Sequence, residues 1–129
     1  MKIIASGRII SAFHMARIIA LGADMINSAR GMMMAIGCIQ ALQCNNNTCP
    51  VGITTQDKSL MKGLDVNHKA ERVENFHHET LHSFSELIAA AGIGRPTYLE
   101  RKHINRRVSM NRVLNYEEIF PSVEKGSLL

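Results

Sequence analysis

The chain has 129 residues, 46% of them apolar and 20% charged, which is the mixture of one modest globular domain with enough apolar surface for a core. A formal charge of +4 and a pI near 9.2 suit an anionic ligand or acidic partner. The late basic run Arg101, Lys102, His103, Arg106, Arg107 and Arg112 lacks interleaved aromatic residues, so it reads as a solvated face and argues against nucleic acid.

Arg8, Arg17 and Asp24 interrupt the most hydrophobic stretch, well short of the roughly 20 residues a membrane span needs, and Ser6-Gly7-Arg8 shortens any signal core. No membrane contact is expected. Three cysteines, an odd count, and eight methionines argue against a disulfide framework and point to the cytoplasm.

Lys2 to Ser6 reads as a short buried strand, Ile3-Ile4-Ala5 closed by Ser6-Gly7. Ser11 is placed to cap a helix that runs to about Leu21, with Phe13, Ala16, Ile19 and Ala20 at helical spacing and Gly22 just past its end. Ala23 to Asn27 is a second strand. After Ser28-Ala29-Arg30-Gly31 a second apolar helix carries Met32, Met33, Met34, Ile36 and Ile39.

Strand, helix, strand, helix in this order predicts parallel pairing, as in doubly wound sheets and eightfold barrels. Residues 44–58, with Asn45-Asn46-Asn47, Pro50 and Gly52, read as an ordered loop. Asp65 to Ala91 is the longest helical signal, with Val73, Phe76, Phe84, Leu87 and Ala91 on one face. Gly94 to Leu129 offers short helical pieces, Tyr98 to Lys102 and Tyr116 to Phe120, between breakers.

Cys38, Cys44 and Cys49 form C-x5-C-x4-C followed by Pro50. Thiolates this close in sequence can converge on an iron–sulfur cluster, and three of them suit a three-iron one. Zinc is the weaker option, because paired C-x2-C spacing and a fourth ligand are absent. The spacing also leaves open three unrelated reduced thiols, with Cys38 a small apolar residue on the methionine-rich helix. The turns Ser6-Gly7-Arg8 and Ser28-Ala29-Arg30-Gly31 follow the two strands, where small residues let backbone amides approach a phosphate and arginine adds charge. Tight turns alone demand the same residues.

Lys2-Ile3-Ile4-Ala5-Ser6-Gly7-Arg8, Ala20-Leu21-Gly22-Ala23-Asp24, the cysteine run through Gln56-Asp57, Lys69-Ala70-Glu71-Arg72-Val73, Asn75-Phe76-His77 and Ile104-Asn105-Arg106-Arg107-Val108 together resemble the FMN-binding synthase domain of the glutamate synthase family. The resemblance implies an α/β fold, the C-terminal fragment of a (β/α)8 TIM barrel. Residues 1–37 would be its last two β/α units, 38–64 the iron–sulfur cluster loop, and 65–129 a mainly helical extension. Barrels commonly place a phosphate site after their last two strands.

The resemblance further implies FMN phosphate at Ser6, Gly7, Arg8, Ser28, Ala29, Arg30 and Gly31, and a 3Fe-4S cluster on Cys38, Cys44 and Cys49. The implied reaction is reduction of 2-iminoglutarate, formed from 2-oxoglutarate and ammonia, to L-glutamate, with electrons from ferredoxin or an NADPH-dependent subunit. A barrel takes about 250 residues, so this piece alone is expected to be inactive, and its sequence offers no catalytic residue.

Two further readings differ in class. A non-catalytic iron–sulfur or zinc-binding interaction module would keep the cysteines without the chemistry. A zinc metalloprotease is suggested by His78-Glu79-Thr80-Leu81-His82, which has H-E-x-x-H spacing. Against the protease, Ser85 stands where one zincin class needs glycine, and no third ligand follows in matching context.

Overall fold

Ile4–Ala5 (β1) and Met25–Ile26 (β2) pair in parallel, Ile4 beside Met25 and Ala5 beside Ile26. The computed structural model to which these elements belong describes residues 1–124, 126 and 127. The amides of Asp24 and Met25 donate to the Ile3 carbonyl and that of Asn27 to the Ala5 carbonyl. Asp24 closes the entrance to the pair: its carboxylate accepts from Lys2 Nζ at 2.7 Å and from the Ile3 amide at 2.9 Å. Those two bonds, the lysine's first, hold its pKa below the ordinary carboxylate value.

Between the strands runs α1, Ala12–Ala20, whose Ser11 cap accepts from the His14 amide. After β2 comes α2, Ala29–Ala35, and then, past a long loop, α3, Lys58–Met61, and α4, Val66–Ala90. Asp57 caps α3 and Asp65 caps α4, each through its carboxylate. The β-α-β-α order expected from the sequence is therefore present, with shorter strands than expected. The architecture is mixed α/β.

The core gathers Ala16 and Ala20 of α1, Phe84 and Ile88 of α4, and Ile93, Leu99, Ile104 and Tyr116 from the tail. Alanines on α1 let α4 approach closely, so the large side chains all come from the other partner. This moves the buried stripe of α4 from the expected Phe84, Leu87 and Ala91 to Phe84 and Ile88. Leu87 stays 36% exposed, and Ala91 lies past the helix end. Packing against α1, rather than the hydrophobic pattern of α4 alone, selects the face.

The mainly helical tail needs correction. Tyr98 to Lys102 is not a helix but two 3-10 turns, Pro96–Tyr98 and Arg101–His103, because Pro96 and the extended Leu99 and Glu100 break continuity. Asn105–Ser109 (β3) and Arg112–Asn115 (β4) then form an antiparallel hairpin around Met110-Asn111, with a register shift between Arg107 and Ser109. The hairpin positions Tyr116–Ile119 (α5), where Asn115 and Glu118 cap each other reciprocally at 2.8 and 3.0 Å. The Tyr116 amide donates to the Ile104 carbonyl, tying this unit into the core.

Phe84→Ala should lower unfolding stability by about 3–5 kcal/mol in urea titration, whereas Phe13→Ala, at a ring 51% exposed, should cost a small fraction of that. Equal losses would show that the α1–α4 contact is not the core.

Candidate functional site

Because β1 and β2 are parallel, the chain leaves both strands at the same end, and the turns that follow meet there. A cavity of about 430 Å³ opens at this end. Ser6, Gly7 and Arg8 line it from the first turn, and Asn27, Ala29 and Arg30 from the second. Cys38, Gln40, Leu42 and Cys44 close it from the loop after α2. Neither guanidinium has a carboxylate partner among the described residues, and both residues are exposed to solvent.

Local backbone geometry is unusual here. Gly7 has φ +109°, and three non-glycine residues lining the cavity, Arg8, Gln40 and Leu42, have φ of +53°, +57° and +57°. A left-handed residue with a side chain costs roughly 1–2 kcal/mol. Such strain persists where the surroundings impose it, commonly at binding sites.

Two of the seven residues expected at a phosphate lie elsewhere. The Ser28 hydroxyl donates to the Ile9 carbonyl, bracing the two turns against each other. Gly31 is buried under α4: a β-carbon there would come to 2.6 Å from Ser28 Oγ and 3.3 Å from the Phe76 ring. Its small size serves helix packing.

Cys38 is not part of α2, contrary to the reading that made it a core residue of that helix. Gly37, at φ +99°, turns the chain out, with its amide on the Met34 carbonyl and the Cys38 amide on the Met33 carbonyl. This glycine-ended helix terminus delivers Cys38 to the cavity, where the Gln40 amide donates to its sulfur at 3.4 Å.

Cys49 lies apart from that wall, buried where Cys44 is exposed. The backbone amide of Thr54, joined by those of Val51 and Ile53, faces its sulfur and brings its pKa down from 9.0 to about 7 against the opposing effect of burial. The Thr54 hydroxyl adds to the lowering, although it makes no hydrogen bond of good geometry. Asn47 holds this segment in place: its carbonyl accepts from the Thr55 hydroxyl at 2.7 Å and its side-chain oxygen from the Gln56 amide at 2.6 Å. Among the described residues no three His, Cys, Asp or Glu side chains are placed to share a metal ion. The three cysteines thus split into two at the cavity and one beside it.

His78 and His82 stand on the exposed side of α4, and no third ligating side chain joins them among the described residues. A zincin centre is not assembled. No helix among the described residues is long and apolar enough to cross a membrane.

A profile of the conserved region in glutamate synthase matches residues 1–94. The chain belongs to the glutamate synthase family. It is 40% identical over 119 residues to the glutamate synthase large subunit-like protein YerD of Bacillus subtilis, a match covering 92% of this chain and 23% of YerD. It is 40% identical over 92 residues to the archaeal glutamate synthase [NADPH] of Methanocaldococcus jannaschii, covering 71% of this chain and 18% of that one. A glutamate synthase [NADH] of Schizosaccharomyces pombe is 38% identical over 72 residues, which are 56% of this chain and 3% of its own. The chain therefore spans less than a quarter of these relatives. No solved structure matches it.

The conserved glutamate synthase region runs from β1 past the end of α4, so it contains every residue of the cavity. Sequence reasoning missed Ile9, Asn27, Met33, Met34, Gln40 and Leu42 in that wall. Asn27, at the end of a predicted strand, carried a readable signal, whereas the left-handed Gln40 and Leu42 carried none.

A thiol with a lowered folded pKa adds stability that is complete above its unfolded value near 9.0 and is lost as pH falls through about 7. Ultraviolet thiolate absorbance should accordingly show a step centred near pH 7 that vanishes in Cys49→Ser. A first step centred near 9.0 would contradict the assignment.

Proposed function

We propose that this chain supplies the FMN-phosphate and iron–sulfur end of a glutamate synthase-type oxidoreductase, the last two β/α units of a (β/α)8 barrel. The complete protein would reduce 2-iminoglutarate, made from 2-oxoglutarate and ammonia, to L-glutamate. The observation that carries this reading is one cavity shared by two post-strand turns, two arginines with no carboxylate partner among the described residues, and two of the three cysteines.

The residues fit a flavin phosphate. Arg8 and Arg30 can give charge-assisted hydrogen bonds to a dianion, Gly7 leaves its backbone open with nothing within 4 Å of a would-be β-carbon, and Met33 and Met34 give the wall apolar surface. FMN, once bound, supplies a two-electron redox centre. This chain's part is to bind the phosphate and orient the ring it carries.

The fit to a 3Fe-4S cluster on Cys38, Cys44 and Cys49 is good in donor chemistry and incomplete in placement. The Cys49 thiol is lowered to about 7, and amides face both its sulfur and that of Cys38, as cluster sulfurs require. Three sulfurs do not meet at one point, so no step is derived through a cluster.

Ferredoxin or an NADPH-dependent subunit is the proposed electron donor. The reading includes inactivity of the chain by itself, because residues beyond it would complete the barrel.

Two experiments test this. FMN should quench or be quenched on binding at lower concentration than riboflavin, and Arg30→Gln should remove most of that preference, a loss of about 10–100-fold for a hydrogen bond to a charged group worth about 1.5–3 kcal/mol. Equal affinity for the two flavins would defeat the phosphate assignment. Anaerobic assay of the chain alone should show no 2-oxoglutarate-dependent oxidation of reduced flavin, and clear turnover would end the claim that more chain is needed.

A further inference from the structure

We propose that His78 and His82 form a two-imidazole chelate on the outside of α4 for a late first-row divalent cation, separate from the cysteine-lined cavity. Both residues lie on one uninterrupted helix, Val66–Ala90, so a spacing of four puts them one turn apart on one face. Their rings are near parallel, 19° between planes and 6.5 Å between centroids. Side-chain rotation that draws the rings together and turns their nitrogens toward each other would let both hold a single ion, with metal–nitrogen bonds near 2.0–2.1 Å.

The second observation is the carboxylate beside each ring, within hydrogen-bond distance at His78 and just beyond it at His82. His78 Nδ1 lies 3.2 Å from Glu79 Oε1, and His82 Nδ1 lies 3.6 Å from Glu86 Oε2. A carboxylate at Nδ1 favours the tautomer with the proton there and leaves the Nε2 lone pair for a metal, the arrangement in which outer carboxylates orient ligating histidines. Glu74, His78, His82 and Glu86 follow each other at intervals of four, so acidic groups flank the pair at both ends of the row. The side chains are 74% and 58% exposed, which lets an ion reach them and leaves its remaining positions to water.

Imidazole pairs take nickel, copper and zinc in preference to magnesium or calcium, with affinity rising to copper. The site is open and two-coordinate from the protein, so it binds reversibly. It rests on the geometry of α4 alone, and loss of the flavin reading would leave it standing.

The test uses the intact chain with its thiols blocked by alkylation, so that the cysteines cannot compete, and nickel as the probe. Calorimetric titration should give one ion per chain, and imidazole resonances of His78 and His82 should broaden. His82→Ala should weaken binding at least about tenfold, and nickel should raise the thermal midpoint of the parent chain but not of this variant. His77→Ala, one residue away and off the row, should bind as the parent does. Unchanged affinity in His82→Ala, or an equal loss in His77→Ala, would overturn the proposal.

Discussion

The site depends on two strands running the same way. Parallel pairing of β1 with β2 carries both following turns to one end of the sheet, and only then can Arg8 and Arg30 face the same space. Two residues per strand cannot hold that arrangement themselves, since isolated pairs of strands are marginal in water. What holds it is α4, which lies across both α1 and α2: Phe84 and Ile88 meet the alanines of α1, and Phe76 meets Gly31 of α2. A single long helix therefore fixes two β/α units against each other, and the turn-to-turn bond from Ser28 to Ile9 finishes the alignment.

The cysteine loop uses a different device. After Gly37 turns the chain out of α2 there is no helix or sheet to satisfy its polar groups, and side chains take over that role. Asn46 and Asn47 accept from the Thr48 amide and the Gln56 amide, and Asp57 then starts α3. An asparagine-rich stretch that looks unstructured by composition is in this way pinned by its own amides. The same backbone donors that organise residues 51–54 also point at the Cys49 sulfur, so folding of the loop and acidity of the thiol are one event.

How much of this was readable follows from the range of the interactions. Ser11, Asp65 and Gly22 act within four residues, and the helix ends they mark stand where the sequence put them. The face of α4 depends on a partner 60 or so residues away, roughly the α1-to-α4 separation, and pattern alone chose Leu87 over Ile88. The β3–β4 hairpin was obscured because its strand residues are largely exposed and rich in arginine, which erases the apolar alternation that marks a strand. For the cavity, the turns were legible as glycine-and-serine breaks after strands. Two of the missed wall residues, Gln40 and Leu42, owe their place to backbone conformation that their residue types do not advertise.

A larger concavity, about 650 Å³, lies at the other end of the strands, beside Lys2, Leu21 and Pro96, and the contrast with it is instructive. Its positive charges are already engaged within the chain: Lys2 pairs with Asp24, Lys102 with Glu100 at 2.6 Å, and Arg101 donates to the Phe120 carbonyl at 2.7 Å and to Ser122 Oγ at 3.2 Å. At the smaller cavity both arginines are exposed and have no carboxylate partner among the described residues, and Arg8, Gln40 and Leu42 are held in left-handed backbone that costs energy. Backbone strain beside two arginines that lack a carboxylate partner among the described residues is what supports the anionic ligand proposed for this cavity, and the larger concavity offers no such pair. Size thus ranks the two cavities in one order and available positive charge in the other.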